Sequence, residues 1–236
     1  MLISIVNHNH NRQALALADR MRPFGHVITI DSGSTLTAEE QAHFDIQLPN
    51  VYYSGCLNAA WETLTAQPDS EELLFICSDV EIDDCERLIL RAKHAFEDRL
   101  VGVYAPSVNR SGHPQMLARN GGNLRPVVFV EGIAFAVRQS LLEALCPIDT
   151  QKNKLGWGLD VYLGYLTLKA GLKSVVDDQI TILHDGTSGY DTVQAREQYN
   201  RWYAEHCAPA QRFRKLVSFR PMKSRLGLEI AKRMIK

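Results

Sequence analysis

The sequence predicts an α/β domain with a mainly parallel sheet flanked by helices, followed by a basic helical tail. Three observations carry this. Short apolar, β-branched runs alternate with stretches whose apolar residues recur at helical spacing. Polar clusters follow several of those runs, after "SIV", "ITI", "FIC" and "ITIL", and open α/β sheets collect ligands beyond the carboxyl ends of their strands. The 236 residues, 45% hydrophobic and 22% charged, suffice for one substantial core.

"LISIV" reads as the first strand, closed by the polar "NHNHN". "RQALALADRMRPFG" has helical spacing until Pro23 and Gly25 stop it, and "HVITI" follows as a second strand ending at "DSGS". "SGCLNAAWETLTAQ" predicts a helix, "LLFIC" a strand, "CERLILRAKHAFE" a helix and "LVGVYAPSV" a strand. "NRSGHPQMLARNGGNLRP" is rich in Gly, Asn and Pro and reads as a mobile loop. "VVFVEGIAFAV" predicts two strand pieces hinged at Gly132, with the helix "RQSLLEAL" after them. "GWGLDVYLGYLTLKAG" predicts a Gly-rich turn entering a helix closed by Gly171, and "KSVVDDQITILHD" supplies the last strand.

No stretch of about 18 apolar residues would span a membrane. "MLISIVNHNHN" has neither the basic leader nor the cleavage site of a signal peptide, so the expected location is the cytoplasm. Five dispersed cysteines without a CxxC pair exclude a zinc cage and a disulfide framework, and read as reduced thiols. The formal net charge of −1 conceals an asymmetry: from Pro209 to Lys236 nine Lys or Arg stand against one acid, Glu229. We therefore divide the chain into a domain at 1–208 and a basic amphipathic extension at 209–236. Basic residues interleaved with aliphatics suit an anionic membrane surface at the inner face, or helices packed on the core or on another subunit. No nucleic-acid-binding module is recognisable. The pattern does not decide between monomer and oligomer.

In their order and spacing, six segments of residues 3–190 resemble the inverting family 2 glycosyltransferases, whose fold is called GT-A. "SIVNHN" resembles the opening strand and nucleotide loop, and "VITIDSGSTL" the second strand with its Asp beside a Gly-Ser turn. "SGCLNAAWE" is similar to the helix under the donor nucleotide, and "LLFICSDVEID" to the strand bearing the metal-binding Asp-X-Asp. "FVEGIAFAVRQSLLEAL" resembles the acceptor-side strand and helix, and "GWGLDVYLGYLTLKAGL" the Gly-Trp-Gly segment with the catalytic base. A sugar nucleotidyltransferase fits less well, since that class begins with a Gly-rich basic loop that "VNHNHNRQ" lacks.

The resemblance implies transfer of a sugar, with inversion, from a nucleotide-diphosphate sugar to a glycan or lipid-linked glycan, in polysaccharide assembly. Asp31 would accept a hydrogen bond from the nucleotide base, His8 would lie against that base, and Asn58 would meet the nucleotide. From the residues alone, Asp31 equally caps a turn, His8 belongs to a polar loop or pairs with His10, and Asn58 is a helix-surface amide. Asp79 would hold Mn²⁺ or Mg²⁺ on the diphosphate, with His184 as a further ligand. Cys77 stands where the pattern wants the first acid, so the motif is degenerate. That loss keeps a second reading open, an inactive nucleotide- or glycan-binding subunit. Asp83 and Asp84 read as the acidic start of the next helix. Asp160 would be the general base, Trp157 a platform for a sugar ring or a core residue, and Glu131 and Gly132 a lining near donor and acceptor.

Overall fold

The run Leu2–Asn7 forms strand β1, and all six of its residues are buried. A strand covered on both faces needs no polar alternation, which is why "LISIV" shows none. The computed structural model describes residues 1–184, 190–205, 208–217 and 225–235. In it β1 pairs in parallel with β2 (His26–Ser32) and with β4 (Glu72–Cys77), and the short β3 (Ile46–Leu48) adds to β2. β8 (Ala134–Arg138) is antiparallel to β4 and to β6 (Val101–Val108), while β6 runs parallel to the long β9 (Lys173–His184). β7 (Leu124–Val127) and the two-residue β5 (Val80–Glu81) are antiparallel partners of β9.

Helix α1 (Asn11–Met21) buries Ala14, Leu17, Ala18 and Met21, one stripe at helical spacing, against β1 and β2. Pro23 then turns the chain through a single 3₁₀ turn, Arg22–Phe24. The four-residue α2 (Ala38–Gln41) carries a capping box between Thr37 and Glu40. Helices α3 (Tyr52–Thr65) and α4 (Cys85–Glu97) cover the sheet, and Asp84 caps α4 by accepting from the Arg87 amide at 2.8 Å. Asp84 thus starts a helix, as expected.

Helix α5 (Gln139–Leu145) leads to α6 (Leu159–Lys169), which is buried almost all round. It is enclosed by α5, β9, α8 (Ala208–Val217) and α9 (Arg225–Ile235), so its apolar character has partners on every side. Gly171 follows its end at φ 75°, a left-handed position that glycine takes without strain. Ala210, Phe213, Val217, Leu228 and Ala231 are buried, and α8 and α9 pack on α6 and on each other. Arg212, Lys215 and Arg233 are exposed. Pro221 and Cys207 lie outside the described residues. Cys56, Cys77, Cys85 and Cys146 are free thiols, and no helix among the described residues is long and apolar enough to cross a membrane.

Three segments differ from expectation. The first strand piece of "VVFVEGIAFAV" ends at Val127, and Val128–Val130 runs buried but outside the ladder before β8 begins at Ala134. The preceding loop is packed: Met116 is buried, and the Arg125 guanidinium donates to the carbonyls of Gln115 and Leu117. Helix α7 (Thr192–Ala204), capped by Asp191, was not expected from the sequence, because its mostly polar surface buries only Ala195, Trp202 and Tyr203.

Candidate active site

The carboxyl ends of β2, β1 and β4 form one row, since Asn7 pairs with Asp31 and Val6 with Cys77. Asn7 organises the row. Its buried amide donates to Asp31 at 2.9 Å and to Asn11 at 2.8 Å, and its carbonyl accepts from the Ser78 hydroxyl at 3.2 Å. Asp31, 2% exposed, also accepts from the Ser34 amide at 3.0 Å. The turn around Asp31 is therefore built, which agrees with turn capping and leaves a carboxylate fixed at the strand end.

His8 is pinned at both ring nitrogens. Nδ1 lies 2.7 Å from the Ser32 carbonyl, which only accepts, so Nδ1 carries the proton and Nε2 accepts from the Asn9 side chain at 3.2 Å. The exposed ring is thereby held beside Asp31. Asn58 is not brought to this group. Its amide donates to the Ile148 carbonyl at 2.9 Å and accepts from the Ile148 amide at 2.8 Å, so both arms brace the segment after α5.

Asp79 and His184 are 105 residues apart, and β5 joins them. Val80 pairs with His184, which sets Asp79 Oδ2 3.4 Å from His184 Nε2. Asp79 Oδ1 is buried without a hydrogen-bond partner among the described residues. A buried carboxylate oxygen with no partner is costly, and a cation is the kind of group that satisfies it. Carboxylate oxygen with neutral imidazole suits Mn²⁺ or Mg²⁺, so these two residues fit a divalent ion. Among the described residues no cluster of three or more His, Cys, Asp or Glu could hold one by itself. At Cys77, where the Asp-X-Asp pattern has its first acid, burial and then the neighbouring Asp79 push the thiol well above its ordinary range.

Asp160 lies in the first turn of α6 and is half-buried. Its turn is strongly braced. Buried Asn153 donates to the Trp157 carbonyl at 3.0 Å and accepts from the Gly156 amide at 3.1 Å, while the Ser54 hydroxyl donates to the Asn153 carbonyl. Gly156 has φ 77°, and a Cβ there would strike the Tyr53 ring. The Tyr53 hydroxyl donates to the Gly132 carbonyl at 2.8 Å, and a Cβ at Gly132 would strike that hydroxyl. Both glycines therefore make room for one tyrosine, and Tyr53, Gly132, Leu159 and Asp160 line one small cavity. On the other side, the Tyr203 hydroxyl donates to the Gly158 carbonyl at 3.0 Å, and Arg214 of α8 stacks on Tyr199 and Tyr203.

Glu131 accepts from the Ser111 hydroxyl at 2.6 Å. Trp157 is half-buried and donates through Nε1 to the Tyr190 hydroxyl at 2.6 Å. Asn7, Tyr53 and Tyr190 escaped the sequence reading. Asn7 directly follows "SIV", a positional signal. The two tyrosines had none, because long-range packing gives them their roles.

The fold is that of the GT-A glycosyltransferases, a mostly parallel curled sheet flanked by helices. The chain is similar in structure to a mannosyltransferase, PcManGT from Pyrobaculum calidifontis, solved with GDP-Man and Mn²⁺, with a TM-score of 0.62 and 14% identity over 99% of this chain and 73% of that one. It is similar to glucosyl-3-phosphoglycerate synthase from Mycobacterium tuberculosis, solved with Mg²⁺ and UDP (TM-score 0.54, 13% identity, covering 86% and 78%). A third similar structure is GalNAc-T7 with UDP, GalNAc and Mn²⁺ (TM-score 0.54, 12% identity), of whose length this chain spans 45% while 80% of this chain is covered. No family model matches the chain, and no curated protein matches its sequence.

Proposed function

We propose that this chain is a glycosyltransferase that moves a sugar from a nucleotide-diphosphate sugar to a glycan or lipid-linked glycan, with inversion. The observation that carries the reading is the convergence, at one end of the sheet, of the fixed Asp31, the Asp79–His184 pair and Asp160. His8 and Asp31 hold the nucleotide base. Asp79 and His184 would hold Mn²⁺ or Mg²⁺, which would supply positive charge to the diphosphate. Asp160 takes the proton of the acceptor hydroxyl as its oxygen bonds to the anomeric carbon, and the bond from that carbon to the diphosphate oxygen breaks on the opposite face. Trp157 supplies an apolar face to a sugar ring, and Gly132, whose missing Cβ makes room for Tyr53, lines the cavity beside Asp160. Cys77 in place of the first acid favours a second reading, a binding subunit without turnover, but Asp160 in a braced cleft favours catalysis.

The domain of 1–208 carries this chemistry. The exposed Arg212, Lys215 and Arg233 of 209–236 are available to an anionic surface at the inner face of a membrane. The test is to incubate purified protein with UDP-, GDP- and dTDP-sugars and candidate acceptors, with and without Mn²⁺, following nucleotide release and product. Asp160→Asn should lower transfer by about 10²–10⁴-fold, the usual worth of a general base. Unchanged transfer by that variant would remove Asp160 from the role.

A further inference from the structure

Tyr190 connects the two halves of the site. Its ring stands edge-on to Trp157, with centroids 6.4 Å apart and planes at 75°. The indole Nε1–H donates to the phenol oxygen at 2.6 Å, and an indole nitrogen never accepts. That contact fixes the phenol oxygen as an acceptor and leaves its own proton to be given elsewhere. The residue is 39% exposed. Burial pushes the phenol upward, the Trp157 hydrogen bond opposes this, and Cys77, Asp160 and Asp79 each push it further up. Those neighbours describe where it stands: within electrostatic reach of both the candidate base and the candidate ion ligand.

Trp157 belongs to the turn that carries Asp160, so its hydrogen bond seats the Tyr190 phenol beside the candidate base, and the anomeric carbon of a bound donor lies between the hydroxyl that base deprotonates and the diphosphate. We propose that Tyr190 is a donor-sugar contact, its phenol donating a hydrogen bond to a hydroxyl of the transferred sugar while Trp157 holds it in that orientation. The inference rests on the glycosyltransferase reading above. It adds a specificity-determining residue, and a pyranose hydroxyl is the chemistry it recognises. A fixed donor discriminates against a sugar that lacks a hydroxyl at that position, because the donor is then left unsatisfied.

The experiment measures binding of UDP, UDP-glucose, GDP and GDP-mannose, each with Mn²⁺, to the wild type, Tyr190→Phe and Tyr190→Ala by calorimetry, with melting temperatures as a folding check. The phenylalanine variant keeps the ring and removes only the hydroxyl. We expect the wild type to bind one nucleotide sugar more tightly than its parent nucleotide. Tyr190→Phe should leave the nucleotide within about twofold and weaken the nucleotide sugar by about 3–10-fold, the range for one neutral hydrogen bond. Tyr190→Ala should erase the sugar's advantage. Equal weakening of nucleotide and nucleotide sugar would mean a structural role and overturn the proposal, as would no change in either. A wild type that binds nucleotides without any gain from the sugar would overturn it while sparing the nucleotide site. A wild type that binds no nucleotide at all would overturn the glycosyltransferase reading and this inference together.

Discussion

Asp79 Oδ2 lies 3.4 Å from His184 Nε2, held there by the two-residue pairing of β5 with the end of β9. The contact is a juxtaposition of two ligand-type groups, and Oδ1 of the same carboxylate is buried without a partner among the described residues. A cation bound here relieves both, and it stabilises the native state by mass action. With UDP or GDP present and Mn²⁺ about 100-fold above its dissociation constant, the gain is about 2.7 kcal/mol, a melting shift of several degrees for a chain of this size. Asp79→Asn and His184→Ala should each reduce that shift while folding normally without metal. An equal Mn²⁺-dependent shift in both variants would place the ion elsewhere.

Asp177 shows how the rest of β9 is fixed. Its fully buried carboxylate receives Arg91 through Nε at 2.7 Å and Nη2 at 3.0 Å, and accepts from Tyr104 at 3.2 Å and from the Gln179 amide at 3.0 Å. It sits where the ladder with β6 changes register, between Pro106 and Ser107. Removing one partner of a buried, hydrogen-bonded pair strands the other charge, at about 3–5 kcal/mol. Asp177→Ala should therefore lower the urea midpoint by a large fraction of total stability. Arg87→Ala, whose partner Gln179 is reached at the exposed surface, should change it little.

The buried thiols set an alkaline limit to stability. Burial raises Cys56 to about 11, with a hydrogen bond from Ser32 opposing and Asp31 adding, and burial followed by Glu62 raises Cys146 to about 12. A pKa raised in the folded state means that the unfolded chain loses its proton first. The stabilisation is complete below the ordinary thiol value of about 8.5 and is lost as pH rises toward the folded values, by up to about 1.4 kcal/mol per pH unit per thiol. Denaturation midpoints measured from pH 8 to pH 11 should fall. In Cys146→Ala the fall should be shallower, whatever its starting stability; an identical slope would remove the thiol from the account.

Most of the fold was legible because the strands are two-sided and apolar and the helices carry clear stripes, as in α1 and α4. The elements that assemble the site were not. β5 has two residues and no pattern of its own, yet it joins Asp79 to His184. Asp31, His8, Asp79 and His184 stand at strand ends, where the sequence pointed. Asn58 and Glu131 stand at plausible positions too, and neither an amide nor a carboxylate shows in the sequence which backbone group or hydroxyl elsewhere it meets. Asn58 is held by Ile148, and Glu131 by Ser111. Tyr53 and Tyr190 are ordinary aromatics until the glycines and Trp157 give them their places.

Arg214 ties the basic C-terminal segment to the candidate base. Its guanidinium stacks on Tyr199 at 4.2 Å and Tyr203 at 5.1 Å and donates to Asn200 at 2.6 Å, and Tyr203 in turn donates to the Gly158 carbonyl at the start of α6. A Cβ at Gly158 would strike the Tyr199 ring, so the two tyrosines define the surface against which the turn before Asp160 rests. Arg214 reaches the turn before Asp160 through the tyrosines, so it is a positioning residue. Arg214→Ala loses a cation–π contact of about 0.5–2 kcal/mol and should loosen the turn more than the sheet ends. We expect kcat of sugar transfer to fall several-fold while the affinity for UDP or GDP with Mn²⁺ is retained, and Arg214→Lys to restore part of the loss. If kcat and nucleotide affinity fall together, the segment supports the whole domain, and its link to Asp160 has no separate meaning.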